Sequence, residues 1–388
     1  MSTETKFARW NTPIKNALST TTSRVGKMGD NSTFTPFTII GYTLDDINVE
    51  LNTSLEDIIF PTNFVLHLNT GGSTEIEITT IEEIDTYDPE TTGEYQFKAN
   101  YILPSWIDDV PIEITFNVIV YENYIIATGG TITTSGDFKI HTFLNNGVFN
   151  VTQLATTSLK NEIEYLIVAG GGSGARSYSS GSSGSGGGGG GAGGMLEGTY
   201  EELTIEEYSV IIGNGGAEAT NLNGTGNKGG DSSIFSLVAK GGGAGVRINF
   251  GTNAEDGGSG GGGGGNHLDN QHVLGGDGVE GQGHDGGRGN VSDTASARGG
   301  GGGGGANSAG SDAINGTTGA SGGSGKSNSI SGSPVTYAVG GRGSRYSYSA
   351  TAGTNNRGNG GGGGRQSTSA NGAAGGSGIV ILKYRYQN

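Results

Sequence analysis

The chain has 388 residues and 32% hydrophobic residues, against roughly 45–50% apolar content in ordinary globular chains, a benchmark that also counts glycine; no single large apolar core is expected in its C-terminal half. Its formal charge of −16 resides in residues 37–122, where 17 acidic residues face one lysine, Lys98, which argues against a nucleic-acid surface. Cysteine is absent and no apolar run nears a membrane span, so disulfides, thiolate metal sites and membrane insertion are not expected.

Residues 1–36 are polar, with five basic and two acidic groups in the first 30. Trp10, Ile14 and Leu18 recur every four residues after Thr12-Pro13, the pattern of a short helix with one apolar face. Such a helix is marginal alone, so Phe7, Trp10, Ile14 and Leu18 are expected to lie against a partner, another copy or their own domain. No apolar stretch of a secretion signal follows Met1.

From Phe37 to Tyr121 short alternating runs read as strands: 37–40, 47–51, 63–68, 75–78, 94–99 and 112–120, parted by Asn69-Thr70-Gly71-Gly72, Asp88-Pro89 and Thr92-Gly93. Strands at this spacing predict a β-sandwich over 37–122 with its acidic residues outward. Leu55-Glu56-Asp57-Ile58 to Pro61, followed by Tyr87-Asp88-Pro89-Glu90-Thr91-Thr92-Gly93-Glu94-Tyr95-Gln96-Phe97, resembles the bacterial immunoglobulin-like modules of surface and phage proteins. That resemblance implies a spacer or binding module without catalytic residues, and 104–111 reads as an insertion before its last strand.

Residues 123–388 form the third region. Strands are read at 124–127, 130–134, 138–143, 147–151 and 163–168, the last running into Gly170-Gly171-Gly172, and Ile379 to Tyr386 reads as an equally strong strand at the far end. Between residues 170 and 378, 71 of 209 residues are glycine. Glycine costs roughly 0.5–1 kcal/mol relative to alanine in regular elements, so the segment is either a flexible linker or a repeated backbone architecture. The apolar islands 208–213, 232–239 and 330–339, each read as a strand, favour the second reading. Pairing of 163–168 with 379–384 would close the segment into a domain. Packed polyglycine helices of the polyproline-II kind, with about three residues per turn, would let neighbouring runs bond to one another.

Glu164-Tyr165-Leu166-Ile167-Val168-Ala169-Gly170-Gly171-Gly172, Tyr208-Ser209-Val210-Ile211-Ile212-Gly213-Asn214-Gly215-Gly216, Gly229-Gly230-Asp231-Ser232-Ser233-Ile234 and Gly375 to Tyr384 are similar to the glycine-rich domain family of phage and bacterial surface proteins, over about residues 130–386. The resemblance extends to the glycine-rich tips of tail-fibre adhesins, in which loops of a rigid glycine block touch a host receptor. The fold expected is therefore all-β: an immunoglobulin-like β-sandwich followed by a glycine-rich β-domain with packed polyglycine helices.

Side chains beside the glycine runs are the candidate receptor contacts: Arg176, Tyr178, His272, Arg342, Arg345, Tyr346 and Tyr348, since tyrosine and arginine supply stacking area and directional donors. Covering the block edges or lining a subunit contact is the competing role. His267, His272 and His284 with Asp269, Asp277 and Asp285 match no metal-ligand spacing, Gly325-Lys326-Ser327 lacks a phosphate-loop context, and adjacent acids such as Asp45-Asp46 point to opposite faces of a strand. No metal, cofactor or catalytic residue is assigned.

The resemblances imply a non-enzymatic fibre or decoration protein of a phage virion, exposed on head or tail and released by host lysis. Its partners would be capsid or tail proteins, met through Phe7, Trp10, Ile14 and Leu18, and further copies of itself. A trimer is one option, although no heptad fixes that number. The rivals are an adhesin that recognises a host-surface glycan or protein, and a bacterial surface or matrix protein.

Overall fold

The computed structural model describes residues 37–157, 160–178, 184–221, 224–247, 253–266, 272–294, 297–315, 319–344, 349–365 and 369–387. The chain divides into two compact units, 1–122 and 123–388.

In the first unit the strands are β1 (Ile39–Thr43), β2 (Ile47–Glu50), β3 (Asn63–Leu68), β4 (Ser73–Glu83), β5 (Gly93–Tyr101) and β6 (Ile114–Tyr121). They form one bonded series, β1-β3-β4-β5-β6-β2, rather than two separately bonded sheets. The long β4 explains this: residues 73–77 pair with β3 and residues 78–83 pair with β5, the latter with a register shift between Ile78 and Thr80. The series curls, because the Tyr42 hydroxyl on β1 donates to the Thr115 carbonyl of β6 at 3.0 Å and accepts the Thr115 N–H at 3.2 Å. Alternating side chains Phe64, Leu66, Phe97, Ile114, Phe116 and Val118 fill the inside. Segment 104–111 contributes as well: Ile107 is buried against this core and bridges to Phe37, and Asp109 Oδ2 accepts the Ile39 N–H at 2.9 Å.

The second unit contains β7 (Ile126–Thr128), β8 (Thr131–Ser135), β9 (Phe138–Phe143), β10 (Gly147–Gln153), β11 (Ile163–Val168), β12 (Met195–Tyr200), β13 (Glu207–Val210), β14 (Ser232–Ile234), β15 (Leu237–Ala239), β16 (Lys326–Asn328), β17 (Val335–Tyr337) and β18 (Ile379–Arg385). A five-stranded sheet runs β12-β11-β18-β9-β8, and a three-stranded sheet runs β13-β10-β7. β11 and β18 pair antiparallel from Glu164↔Lys383 to Val168↔Ile379, so the residue entering the glycine segment faces the residue leaving it. Both strands are buried on two faces. Ile163, Ile167, Val380, Leu382 and Tyr384 join Phe149, Tyr208 and Phe235 in one core, while Leu166, Val168, Ile379 and Ile381 join Met195 and Tyr337 in another. Their near-continuous apolar sequences follow from that burial.

Island 232–239 is a hairpin rather than a single strand, and island 330–339 supplies one strand, β17, of a second hairpin. Phe235 and Ser236 take φ +54 and +62, turning β14 back on β15; two left-handed residues in a two-residue loop match the twist of the flanking strands. β16 pairs with β17 within the 326–337 segment.

Between these strands the glycine runs bond to each other with a repeat of three residues. Ala169, Gly172, Ala175 and Tyr178 donate to the carbonyls of Gly194, Gly191, Gly188 and Ser185; Gly170, Ser173 and Arg176 to those of Gly230, Asn227 and Gly224; Gly171, Gly174 and Ser177 to those of Gly376, Ala373 and Ala370, all at 2.8–3.1 Å. The run 186–194 does the same towards 240–246, 301–304 and 358–361, and its own carbonyls accept from 169–175, 259–265 and 341–344. Segments thus surround it on every side, and its residues are buried. The close approach requires glycine. An ideal Cβ on Gly188 would stand 1.8 Å from the Gly262 carbonyl oxygen, and one on Gly190 2.1 Å from that of Gly172.

Candidate recognition surface

Polar side chains complete the glycine array where a run ends and its amides lose their neighbours. Asn359 Oδ1 accepts the Val339 N–H at 3.0 Å, Asn290 Oδ1 that of Gly299 at 2.6 Å, Gln282 Oε1 that of Lys240 at 2.8 Å, and Asp231 Oδ1 that of Gly241 at 2.8 Å. Inside the array, Ser173 Oγ accepts the Asn227 N–H at 2.8 Å and Ser232 Oγ that of Gly213 at 2.9 Å. Hydroxyls and carboxamides therefore stand in for missing backbone groups. None of these was singled out from the sequence; a lone Asn, Gln or Asp next to a glycine run is the signal that could have done so.

Arg298 is the largest of these substitutes. Its side chain is 2% exposed. Nε donates to the Ser292 carbonyl at 2.6 Å, Nη1 to that of Gly184 at 2.8 Å and Nη2 to that of Asp293 at 3.0 Å. Burial lowers its pKa, yet an arginine remains charged in proteins, so the guanidinium ties together carbonyls far apart in sequence.

The candidate contact residues separate into three places and an undescribed part. Arg176 and Tyr178 lie together. Arg176 Nη1 donates to the Thr220 carbonyl at 2.8 Å, and the Arg247 guanidinium sits 5.3 Å from the Tyr178 ring centroid, a cation–π distance. Burial, and then the charge of Arg176, lowers the pKa of Arg247. Tyr178 is 43% exposed, so this group holds the edge of the block and also presents a ring outward. His272 is exposed, with Nδ1 2.8 Å from the Gly289 carbonyl, which assigns the proton to that nitrogen. Arg342 is exposed beside a cavity lined by 339–343, 349–354, Asn359 and Gly360. Arg345, Tyr346 and Tyr348, like Phe7, Trp10, Ile14 and Leu18 and the metal candidates His267 and Asp269, lie outside the described residues.

A buried titratable pair sits in the sheet region. His141 has no exposed surface. Its Nδ1 is 2.7 Å from the Gly129 carbonyl and its Nε2 3.0 Å from the Tyr384 hydroxyl. The carbonyl can only accept, so Nδ1 carries the proton and Nε2 accepts from the tyrosine. Burial lowers the His141 pKa and pushes that of Tyr384 up to about 12, so both are neutral near pH 7. The pair joins β9 to β18 and is closed to a substrate. Gly129, at φ +114, lets its backbone approach here; a Cβ would stand 2.0 Å from the Val148 carbonyl oxygen.

Among the described residues no three His, Cys, Asp or Glu side chains are grouped to hold a metal ion, and no helix is long and apolar enough to cross a membrane. Residues 146–385 match the family model described as a glycine-rich domain, and the chain matches none of the curated proteins.

Proposed function

Since the chain belongs to the glycine-rich domain family, we propose that it is a non-enzymatic structural fibre or decoration protein of a phage particle, its glycine-rich unit serving as a rigid support. The observation that carries this reading is the three-residue repeat of backbone bonds through 169–178 and 186–194. A fold held by its backbone leaves few side chains for chemistry and resists deformation, which suits a scaffold. We read the runs as packed polyglycine helices of about three residues per turn, and 37–122 as an immunoglobulin-like spacer whose long β4 serves both halves of the curled sheet. Residues 1–36, basic and carrying Phe7, Trp10, Ile14 and Leu18, are the segment proposed to attach to capsid or tail protein. Self-association, with a trimer as one option, belongs to the same reading.

A particle-level density map tests it: residues 1–36 are expected against capsid or tail protein, and their standing free in solvent would refute the attachment. A second reading, an adhesin, is favoured by Tyr178 and Arg342 standing exposed at the block edge. It predicts that particles carrying Tyr178→Ala or Tyr346→Ala assemble normally and adsorb to the host less.

A further inference from the structure

The runs 339–343 and 359–363 lie side by side, Gly360 N–H donating to the Val339 carbonyl and Gly363 N–H to that of Arg342, both at 2.8 Å. Segment 349–354 is held nearby by Gly362 N–H to the Thr351 carbonyl at 2.8 Å and by Gly353 N–H to that of Ala374 at 2.9 Å. A cavity of about 310 Å³ lies among them, within the size range of small-ligand sites, roughly 300–1,000 Å³. Its lining includes Arg342, the hydroxyl residues Ser349, Thr351 and Thr354, and Asn359, with no aspartate or glutamate.

Arg342 differs from five other arginines of the second unit. The guanidiniums of Arg176, Arg298 and Arg357 bond to carbonyls, and those of Arg288 and Arg385 meet carboxylates. Among the described residues the Arg342 guanidinium meets neither, and the backbone N–H groups of Arg342, Ala350 and Ala352 have no acceptor, although the neighbouring Gly341 and Gly343 are bonded. The cavity therefore combines a permanent cation with spare donors and lacks a counter-charge.

We propose that this groove binds the carboxylate-bearing sugar residue of a glycan, with Arg342 as the carboxylate ligand. A guanidinium fork matches a carboxylate with two parallel bonds. Hydroxyls, a carboxamide and backbone groups supply the mixture of donors and acceptors that sugar hydroxyls require, and the glycine and alanine walls offer C–H surface to a ring. The volume suits one or two sugar rings rather than an extended peptide. The assignment rests on the recognition reading above, not on the attachment of residues 1–36.

The test is calorimetric and ligand-observed NMR titration of the full chain with glucuronate and galacturonate, against glucose, galactose, acetate, inorganic phosphate and an acidic peptide. The uronates are expected to bind at least about tenfold tighter than every comparison ligand. Arg342→Gln should weaken uronate binding about tenfold to a hundredfold, the range for losing a bond to a charged group. Arg342→Lys should fall between, and Arg288→Gln should change nothing. Hydrogen exchange on each variant separates site from scaffold: protected glycine amides with lost binding locate the effect at Arg342, whereas freely exchanging wild-type amides would refute the scaffold and leave the binding result to stand alone. The site is overturned if uronates do not bind, if a neutral sugar, phosphate or the peptide binds as tightly, or if Arg342→Gln binds uronate normally.

Discussion

Gly188→Ala places one methyl group where the array has no space. The ideal Cβ lies 1.8 Å from the Gly262 carbonyl oxygen and 2.4 Å from its carbon. Real Cβ contacts do not fall below 3.0 Å, so the carbonyl must retreat by at least 3.0 − 1.8 = 1.2 Å. That carbonyl accepts the Val246 N–H at 3.1 Å, and the Gly262 N–H donates to the Gly189 carbonyl at 2.7 Å; a shift of this size breaks both. Buried groups left unpaired cost about 1–3 kcal/mol each, and overpacking adds about 1–3 kcal/mol. The lower entropy of the unfolded alanine chain returns only about 0.4–1 kcal/mol. The expected loss is about 2–8 kcal/mol. Gly281→Ala is the control, because its Cβ meets nothing within 4 Å and only φ +77 opposes it, at about 1–2 kcal/mol before the same entropic gain. Urea unfolding of the full chain separates the units optically: both tryptophans, Trp10 and Trp106, precede residue 123, so tryptophan emission follows the first unit while tyrosine absorbance and circular dichroism also register the second. Equal destabilisation by the two variants, or an unchanged midpoint for Gly188→Ala, would show that the glycines are not selected by backbone contact.

Arg298→Met leaves the carbonyls of Ser292, Gly184 and Asp293 without their donor and should lower stability by about 3 kcal/mol or more, as read by thermal unfolding; a change below about 1 kcal/mol would refute its tying role. Because burial lowers the folded pKa of His141 below its ordinary 6.5, the unfolded chain binds the extra proton first, so stability is full above pH 6.5 and falls as pH drops below it towards the folded pKa; His141→Gln should flatten that slope between pH 7 and 5.5, and an unaltered slope would assign it elsewhere. Ser259 Oγ is buried with no partner among the described residues, so Ser259→Ala should leave the second unit as stable or raise it by about 1 kcal/mol, and a loss above 1 kcal/mol would reveal a bond there. The exposed ion pairs Lys240–Asp231 and Lys326–Glu197 are each worth about 0–1 kcal/mol, so adding 0.5 M NaCl should shift the second unit's midpoint only slightly; a large shift would mean that charge, not backbone bonding, holds the block.

Much of the strand frame could be read along the chain, because strands announce themselves through side chains. The apolar runs at 163–168 and 379–384 and the alternation of Phe64, Leu66 and Leu68 carry their own instructions for burial. The islands were less legible. Residues 232–239 look like one strand until Phe235 and Ser236 adopt positive φ, a conformation that neither residue type advertises. Segment 104–111 reads as an insertion, yet Ile107 is part of the core. Arg298 stands among polar loop residues and gives no sign of burial, since its partners are backbone carbonyls from 114, 6 and 5 positions away.

From composition alone it follows that residues 170–378 must be a backbone-built structure or none, since 71 glycines offer almost no side-chain packing. Which run lies beside which could not follow, because one glycine is chemically identical to the next and its hydrogen bonds carry no residue code. That choice belongs to the tertiary structure. The β11–β18 pairing brings residue 168 opposite residue 379, and Asn359, Asn290, Gln282, Asp231 and Arg298 occupy the few positions where a side chain replaces a missing backbone partner. The same assembly leaves Arg342 exposed beside a cavity without a carboxylate, a juxtaposition made by segments brought together in space rather than by any motif in the chain.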